Sequence, residues 1–359
     1  MKLVFLFAFA ALAAEPAPPL DDLAAVLEPI RAKHGLPALA AAVLKDGKVA
    51  ALGAVGKRQA GGDEPVTVDD RWHLGSLTKA MTATLIARLV ERKRLSWGLT
   101  LEKAFPGLKM DPGFKGVTLE QLLTHTGGFP AEAPPALWEE LWRMKGTPSE
   151  QRMSLVKGIL SGKPAGSGYL YSNVGYALTG AIAERREKKA WEELLKEEIF
   201  GPLGMNSSGF GAPGTGQPLG HVWKDGSAVP VPPGPNADNP PGIAPAGAVH
   251  ASLRDWAQFA LVHLQGSRGK GTLLRPSSIN RLHTAPKGQQ YASGWLVVER
   301  PWAGGRVLTH AGSNTMWFAV VWLAPEKDFG VLIAANLGGG PAQAACDEAA
   351  GALIGRAGL

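Results

Sequence analysis

The side chains that could do chemistry in this chain fall into three short groups: Ser76 with Lys79, Tyr171 with Asn173, and His310 with Gly312 and Ser313. Ser76-Leu77-Thr78-Lys79 lies where a long helical pattern begins. A serine there has its hydroxyl near unpaired backbone N–H groups and the positive end of the helix dipole. A lysine three residues on shares the same face. Its amine can activate the hydroxyl to attack a carbonyl and form an acyl-enzyme, provided burial or neighbouring charge lowers the lysine pKa. The same spacing recurs at Ser154/Lys157, inside a helical pattern, and at Ser267/Lys270, in a glycine-rich turn. The surroundings of Ser76 therefore have to separate it from these two.

Tyr171-Ser172-Asn173 and His310-Ala311-Gly312 follow Ser76 in chain order. Tyr171 can relay a proton, or act as the base if a cation lowers its pKa. The Asn173 amide can donate to a substrate carbonyl and accept from an amine. His310, at a strand edge, can orient Tyr171 or the substrate, and Gly312 allows close backbone approach. The backbone N–H groups of Ser76 and Ser313 suit an oxyanion hole. If His310 works as neutral imidazole, activity should fall below about pH 6.

Stepping outward along the chain, Asp21 to Lys33 has an amphipathic helical pattern. Apolar runs at Ala38 to Leu44 and Lys48 to Val55 flank Asp46-Gly47, a hairpin signal. Helical patterns cover Ser76 to Arg94, Leu119 to Leu123, Leu137 to Met144, Ser149 to Leu160, Gly175 to Glu187, Trp191 to Ile199 and Leu253 to Leu264. Strand patterns return at Gly294 to Val298, Arg306 to Thr309, Met316 to Leu323 and Phe329 to Ala335, before a closing helix from Pro341 to about Gly355. The expected fold is α+β: an antiparallel sheet built from residues 15–80 and 285–359, flanked by N- and C-terminal helices, with 81–284 an inserted, mainly helical domain. A site between two such parts would lie in the crevice. The proline- and glycine-rich stretch from Gly211 to Val249 reads as a long loop at its rim.

The three groups, in this order, resemble the serine β-lactamase and penicillin-binding protein superfamily. The branch most similar holds class C β-lactamases, D-alanyl-D-alanine carboxypeptidases of the H-x-G type and β-lactamase-like carboxylesterases. The segments 122–128 (LLTHTGG), 199–205 (IFGPLGM), 245–247 (PAG), 252–255 (SLRD) and 291–295 (YASGW) extend the resemblance over nearly the whole mature chain. It implies Ser76 as nucleophile, Lys79 and Tyr171 as the acid/base pair, and His310 as the third-motif residue. Where a class A enzyme has S-D-N and K-T-G, this chain has Tyr171-Ser172-Asn173 and His310-Ala311-Gly312. A lysine in the third motif is a permanent cation for a β-lactam carboxylate; a histidine is mostly neutral at pH 7. That favours an ester or a D-amino-acid peptide over a β-lactam as substrate. A non-catalytic binding or scaffold relative is the remote alternative.

The remaining features narrow the field. Met1-Lys2, an apolar run from Leu3 to Ala14 and the small residues Ala11-Leu12-Ala13 read as a signal peptide over 1–14, so the protein is expected to be exported, periplasmic or secreted. With 359 residues and Cys346 the sole cysteine, it must fold without an internal disulfide. Net charge is +6, but the basic residues are scattered and Glu91-Arg92-Lys93-Arg94 reads as a solvated helix end, so no nucleic-acid partner is expected. No second apolar stretch suits a membrane span. His34, His221, His250, His263 and His283 lack metal-ligand spacing, and neither a metal nor another cofactor is expected. His73 and His125 read as structural, and Trp295, Trp317 and Trp322 as core. Trp138 and Trp142, four apart on a helix, suit either core or an acyl pocket.

Overall fold

The structure, a computed structural model, describes residues 22–359. The signal peptide expected over 1–14 lies outside the described residues. Eleven strands are present among the described residues: β1 (Ala38–Lys45), β2 (Lys48–Gly56), β3 (Arg71–His73), β4 (Gly209–Phe210), β5 (His221–Lys224), β6 (Ser227–Pro230), β7 (Val249–Ser252), β8 (Leu296–Arg300), β9 (Gly305–Ser313), β10 (Phe318–Ala324) and β11 (Phe329–Ala335). Six of them form one sheet in the order β2-β1-β11-β10-β9-β8, and its paired neighbours are antiparallel. The two ends of the chain thus meet in one sheet, with β1 hydrogen-bonded to β11 from Leu39↔Ala335 to Lys45↔Phe329.

The period of two along these strands decides what each face buries. Leu39, Ala41 and Val43 of β1, with Val331 and Ile333 of β11, pack in one core with the terminal helices Leu23–Lys33 and Gly340–Arg356. Ala40, Ala42 and Leu44, with Leu332 and Ala334, face a second core shared with the helical part of the chain. Both faces are therefore covered, which is why β1 and β11 read as unbroken apolar runs. The first helix buries Leu23, Val26, Leu27 and Ile30 at i, i+3, i+4 and i+7, and Asp22 caps it by accepting from Ala25 N at 3.1 Å. Asp46 and Gly47 both have left-handed backbones (φ 53° and 74°), the two-residue turn that matches strand twist.

Helix starts in the middle of the chain follow local capping chemistry. Thr118/Gln121 and Thr147/Glu150 form capping boxes, the second followed by Pro148 at the first helical position. Ser172 caps the helix Asn173–Glu187, its Oγ accepting from Gly175 N at 2.9 Å. That helix is fixed from behind by Arg152, which is fully buried and pairs with Glu184 (2.9 Å) and Glu192 (3.0 Å). A buried guanidinium needs such partners, because its desolvation is otherwise uncompensated.

Several details differ from the sequence expectation, each for a local reason. The stretch 211–249 is not a plain loop: it holds the hairpin β5–β6 and the short helix Ala244–Gly247, and it enters β7, which pairs with β3 and β4 in a second sheet. These strands have two to four residues, too few to show a period. β9 runs to Ser313 rather than Thr309, so the His310 motif lies within the strand. The α-helix after Ser76 spans Thr78–Glu91, preceded by a 3₁₀ turn over Gly75–Leu77, and Ser76 sits on that turn. The helix Pro276–Leu282 was not expected. Trp295 and Trp317 are buried, whereas Trp322 is only partly covered, with the Arg300 guanidinium 5.7 Å from its ring.

Candidate active site

The Ser76 turn is held where two glycines let backbone meet backbone. Gly75 has φ +50°, and a Cβ on it would lie 2.3 Å from Ser313 N. A Cβ on Gly312 would lie 2.0 Å from Leu74 O and 2.7 Å from Ser76 N. No real Cβ fits at such distances, so the end of β9 presses directly on the turn and brings the Ser76 and Ser313 amides to one place. Gly312 is buried and contributes by this close approach rather than as part of the cleft wall. Gly312→Ala must push β9 off the turn and separate the two amides. If the oxyanion role expected of these amides from the sequence holds, kcat is expected to fall about 100-fold, with a lowered Tm, read by steady-state kinetics and thermal melting of the same preparation.

Lys79 is fully buried and its Nζ donates three hydrogen bonds: to Ser76 Oγ (3.0 Å), Asn173 Oδ1 (2.6 Å) and Ala246 O (2.7 Å). Burial drives its pKa from 10.5 down to about 7, with Glu132 opposing part of the shift. The Ala246 carbonyl is positioned because its segment is tied to the Lys79 helix: Thr82 Oγ1 donates to Pro245 O at 2.7 Å, and Val249 N donates to Thr78 Oγ1 at 2.9 Å. Asn173, the first residue of its helix, is oriented from both ends. Its Oδ1 accepts from Lys79, and its Nδ2 donates to Glu132 Oε1.

Tyr171 lies with its ring centroid 4.8 Å from Lys79 Nζ. Burial raises its phenol pKa well above 10, and a hydrogen bond with Ser76 opposes the shift without cancelling it. At neutral pH Tyr171 is a protonated phenol and Lys79 a titrating amine. His310 is buried below the cleft, its ring centroid 6.1 Å from that of Tyr171 and 5.5 Å from that of Tyr291. Its Nδ1 has no hydrogen-bond partner, and burial, together with the Lys79 charge, lowers its pKa to about 3. Burial therefore argues against His310 as the source of an acid limb near pH 6 and favours Lys79, whose pKa is lowered to about 7.

A cleft of about 490 Å³ opens above these residues, lined among others by Ser76, Glu132, Trp138, Asn173, Asn239, Ile243, Ser313 and Asn314. Trp138 is half-buried, packing against the core while it lines the cleft, and Trp142 is exposed. Sequence reasoning missed Glu132, for which no motif gives a signal, and gave no role to the Ala246 carbonyl although Ala246 stands in the 245–247 segment. His73, read from the sequence as structural, is buried and satisfied by hydrogen bonds. Gly75 N donates to His73 Nδ1 (3.1 Å), so the Nε2–H faces Asp238 Oδ2 (2.8 Å), and Asn314 Nδ2 donates to Asp238 Oδ1 (3.0 Å). Burial would raise the Asp238 pKa, but these contacts hold it below the usual value. Asp238 thereby clamps the rim segment to both the Ser76 turn and the end of β9. His125 fills the space behind Tyr171, its Nδ1 accepting from Ser172 N at 3.1 Å.

Among the described residues there is no group of three or more His, Cys, Asp or Glu side chains arranged to hold a metal ion. No described helix is long and apolar enough to cross a membrane.

A serine hydroxyl bonded to a buried amine, beside a phenol and two converging backbone amides, is the constellation of a serine hydrolase. The chain belongs to the β-lactamase family: the family model Beta-lactamase matches residues 23–356. Penicillin-binding protein 4 of Amycolatopsis lactamdurans is 26% identical over 335 residues, covering 87% of this chain and 84% of that protein. Protein flp of Staphylococcus aureus (strain MW2) is 22% identical over 312 residues, and the match spans 85% of this chain and 60% of its length. Among solved structures, the octameric penicillin-binding protein homologue from Pyrococcus abyssi superposes with a TM-score of 0.75 at 26% identity, over 93% of this chain and 77% of that one. SurE shares the fold, with a TM-score of 0.75 at 23% identity, covering 95% and 76%.

Proposed function

We propose that this protein is an exported serine hydrolase that works through an acyl-enzyme on Ser76 and hydrolyses esters, with D-amino-acid peptides the next substrate class. The observation that carries the mechanism is the bonding of Lys79. Of its three acceptors, Asn173 Oδ1 and Ala246 O can only accept, whereas Ser76 Oγ can also donate. When the amine loses a proton, its two remaining N–H bonds stay with the obligate acceptors. The lone pair then faces the Ser76 hydroxyl. Lys79 is the base on this reading.

In the acylation step Ser76 Oγ bonds to the substrate carbonyl carbon as its proton passes to Lys79. The oxyanion rests on the Ser76 and Ser313 amides. Collapse breaks the bond to the leaving group, which takes a proton from Tyr171, and Lys79 returns its own proton to Tyr171. Water repeats the sequence on the acyl-enzyme and releases the acid. Neutral His310 supports Tyr171 by packing.

The ester preference rests on charge. Among the described residues, none that lines the cleft is a lysine or arginine, and Glu132 is an acid. A β-lactam or a carboxylate-ended peptide would meet no cation. The match to the Beta-lactamase family model over residues 23–356 favours a second reading, a class C-like β-lactamase. The test is a panel of p-nitrophenyl acyl esters, nitrocefin and a D-Ala-D-Ala peptide, with intact-mass and peptide mapping of the protein after each. Ester turnover above nitrocefin turnover, with a transient acyl mass on Ser76, is expected. Nitrocefin turnover rivalling the esters would overturn the preference. The same mass spectrum of protein recovered outside the cytoplasm reports whether the leader has been removed, as export requires.

A further inference from the structure

We infer that the cleft selects substrates carrying a cationic amine, protonated or quaternary, held between Glu132 and Trp138; this rests on the Ser76 hydrolase reading and names its substrate class. Among the described residues, Glu132 is the sole charged side chain in the wall of the cleft that contains Ser76. Asn173 Nδ2 engages its Oε1, and among the described residues no hydrogen bond or ion pair engages Oε2. Lys79 lies behind Asn173 with its three N–H bonds already directed to other acceptors.

A carboxylate held at one oxygen and open at the other attracts a cation, protonated or quaternary. It is exposed to the solvent that fills the cleft, and its pKa is raised by partial desolvation while Asn173 and Lys79 pull it down. The Trp138 indole lines the same cleft, and a tryptophan face attracts ammonium groups. The remaining wall near it, Pro135 and Ile243, is apolar and offers an alkyl chain a surface to lie on. A carboxylate, an indole and an apolar wall together suit an ammonium on a short alkyl arm. The same arrangement repels an anionic arm. Because Glu132 bonds the amide that also holds Lys79, the bound cation sits within the network that holds the nucleophile and its base.

The test uses three p-nitrophenyl esters of matched acyl length, ending in a trimethylammonium, a tert-butyl and a carboxylate group. The full-length wild type is expected to prefer the cationic over the neutral ester by about tenfold in kcat/KM, and to rank the anionic ester last. Raising salt should shrink the cationic preference. Glu132→Gln keeps an acceptor for Asn173 Nδ2 and removes the charge, so the cationic-to-neutral ratio should fall about tenfold. An unchanged ratio in that variant, or a wild-type ratio near one that salt does not move, overturns the inference. Failure of the underlying reading looks different: no ester would then leave an acyl mass on Ser76.

Discussion

Ser76→Ala is expected to lower ester kcat/KM by about 10⁴-fold or more, with the melting temperature within a few degrees of wild type. Ser76 sits on a 3₁₀ turn whose shape comes from Gly75 and from contact with β9, not from its own side chain. Its hydroxyl accepts one hydrogen bond, from Lys79. Removing it leaves the Lys79 amine with its other two acceptors, so the fold is maintained and only the nucleophile is lost. The oxyanion amides and the cleft remain, and they can leave a small residual rate above solution hydrolysis. Stopped-flow kinetics with a p-nitrophenyl ester, paired with active-site labelling by a fluorophosphonate, reads both effects. Retention of wild-type turnover by the alanine variant would sink the acyl-enzyme mechanism.

The second large effect is expected at Lys79. Wild-type kcat/KM should rise with pH through about 7, because Lys79 must be neutral to accept the Ser76 proton and is protonated below that value. Lys79→Met keeps an unbranched side chain one atom shorter, removes the base, and should cost about 10³-fold or more in kcat at the pH optimum. Whatever activity remains should lose the limb near 7. His310→Gln should retain that limb, because burial holds His310 neutral down to about pH 3.

Stability provides an independent readout. The folded-state pKa of Lys79 is lowered from 10.5 to about 7, so between those values the unfolded chain binds more protons than the folded one. Stability therefore rises with pH across that window and loses the contribution as pH falls towards 7. Melting temperatures taken near pH 7 and near pH 10 should show wild type gaining on Lys79→Met at the higher pH. Parallel shifts in the two proteins would mean that Lys79 is not the group titrating there.

Much of this molecule could be read from residue order. The apolar runs of β1 and β11, the Asp46-Gly47 turn and the spacing of Leu23, Val26, Leu27 and Ile30 are local signals, and local sterics and periodicity are enough to interpret them. Ser76, Lys79, Tyr171 and Asn173 were legible because each has a chemical type that is informative beside the others, and the structure brings these four together. The second sheet was not legible, since β3, β4 and β7 are two to four residues long and exist only because their partners arrive from distant segments. The rim stretch was expected as a loop and contributes Asp238 and Ala246 to the site through contacts more than 70 residues away in sequence.

The sequence by itself determined which functional groups are available: one serine three residues before a lysine at a helix start, a tyrosine and an asparagine at another, and a histidine in place of a third-motif lysine. It also determined the sheet, because the apolar period is written along the chain. Only the tertiary structure decided their protonation states and the charge of the cleft. A pKa follows from burial and from the charges nearby in space, neither of which is a property of sequence neighbours. Packing takes Lys79 out of water and lowers its pKa to about 7, buries His310 away from the substrate, and leaves Glu132, a residue with no motif, as the charge that faces whatever enters.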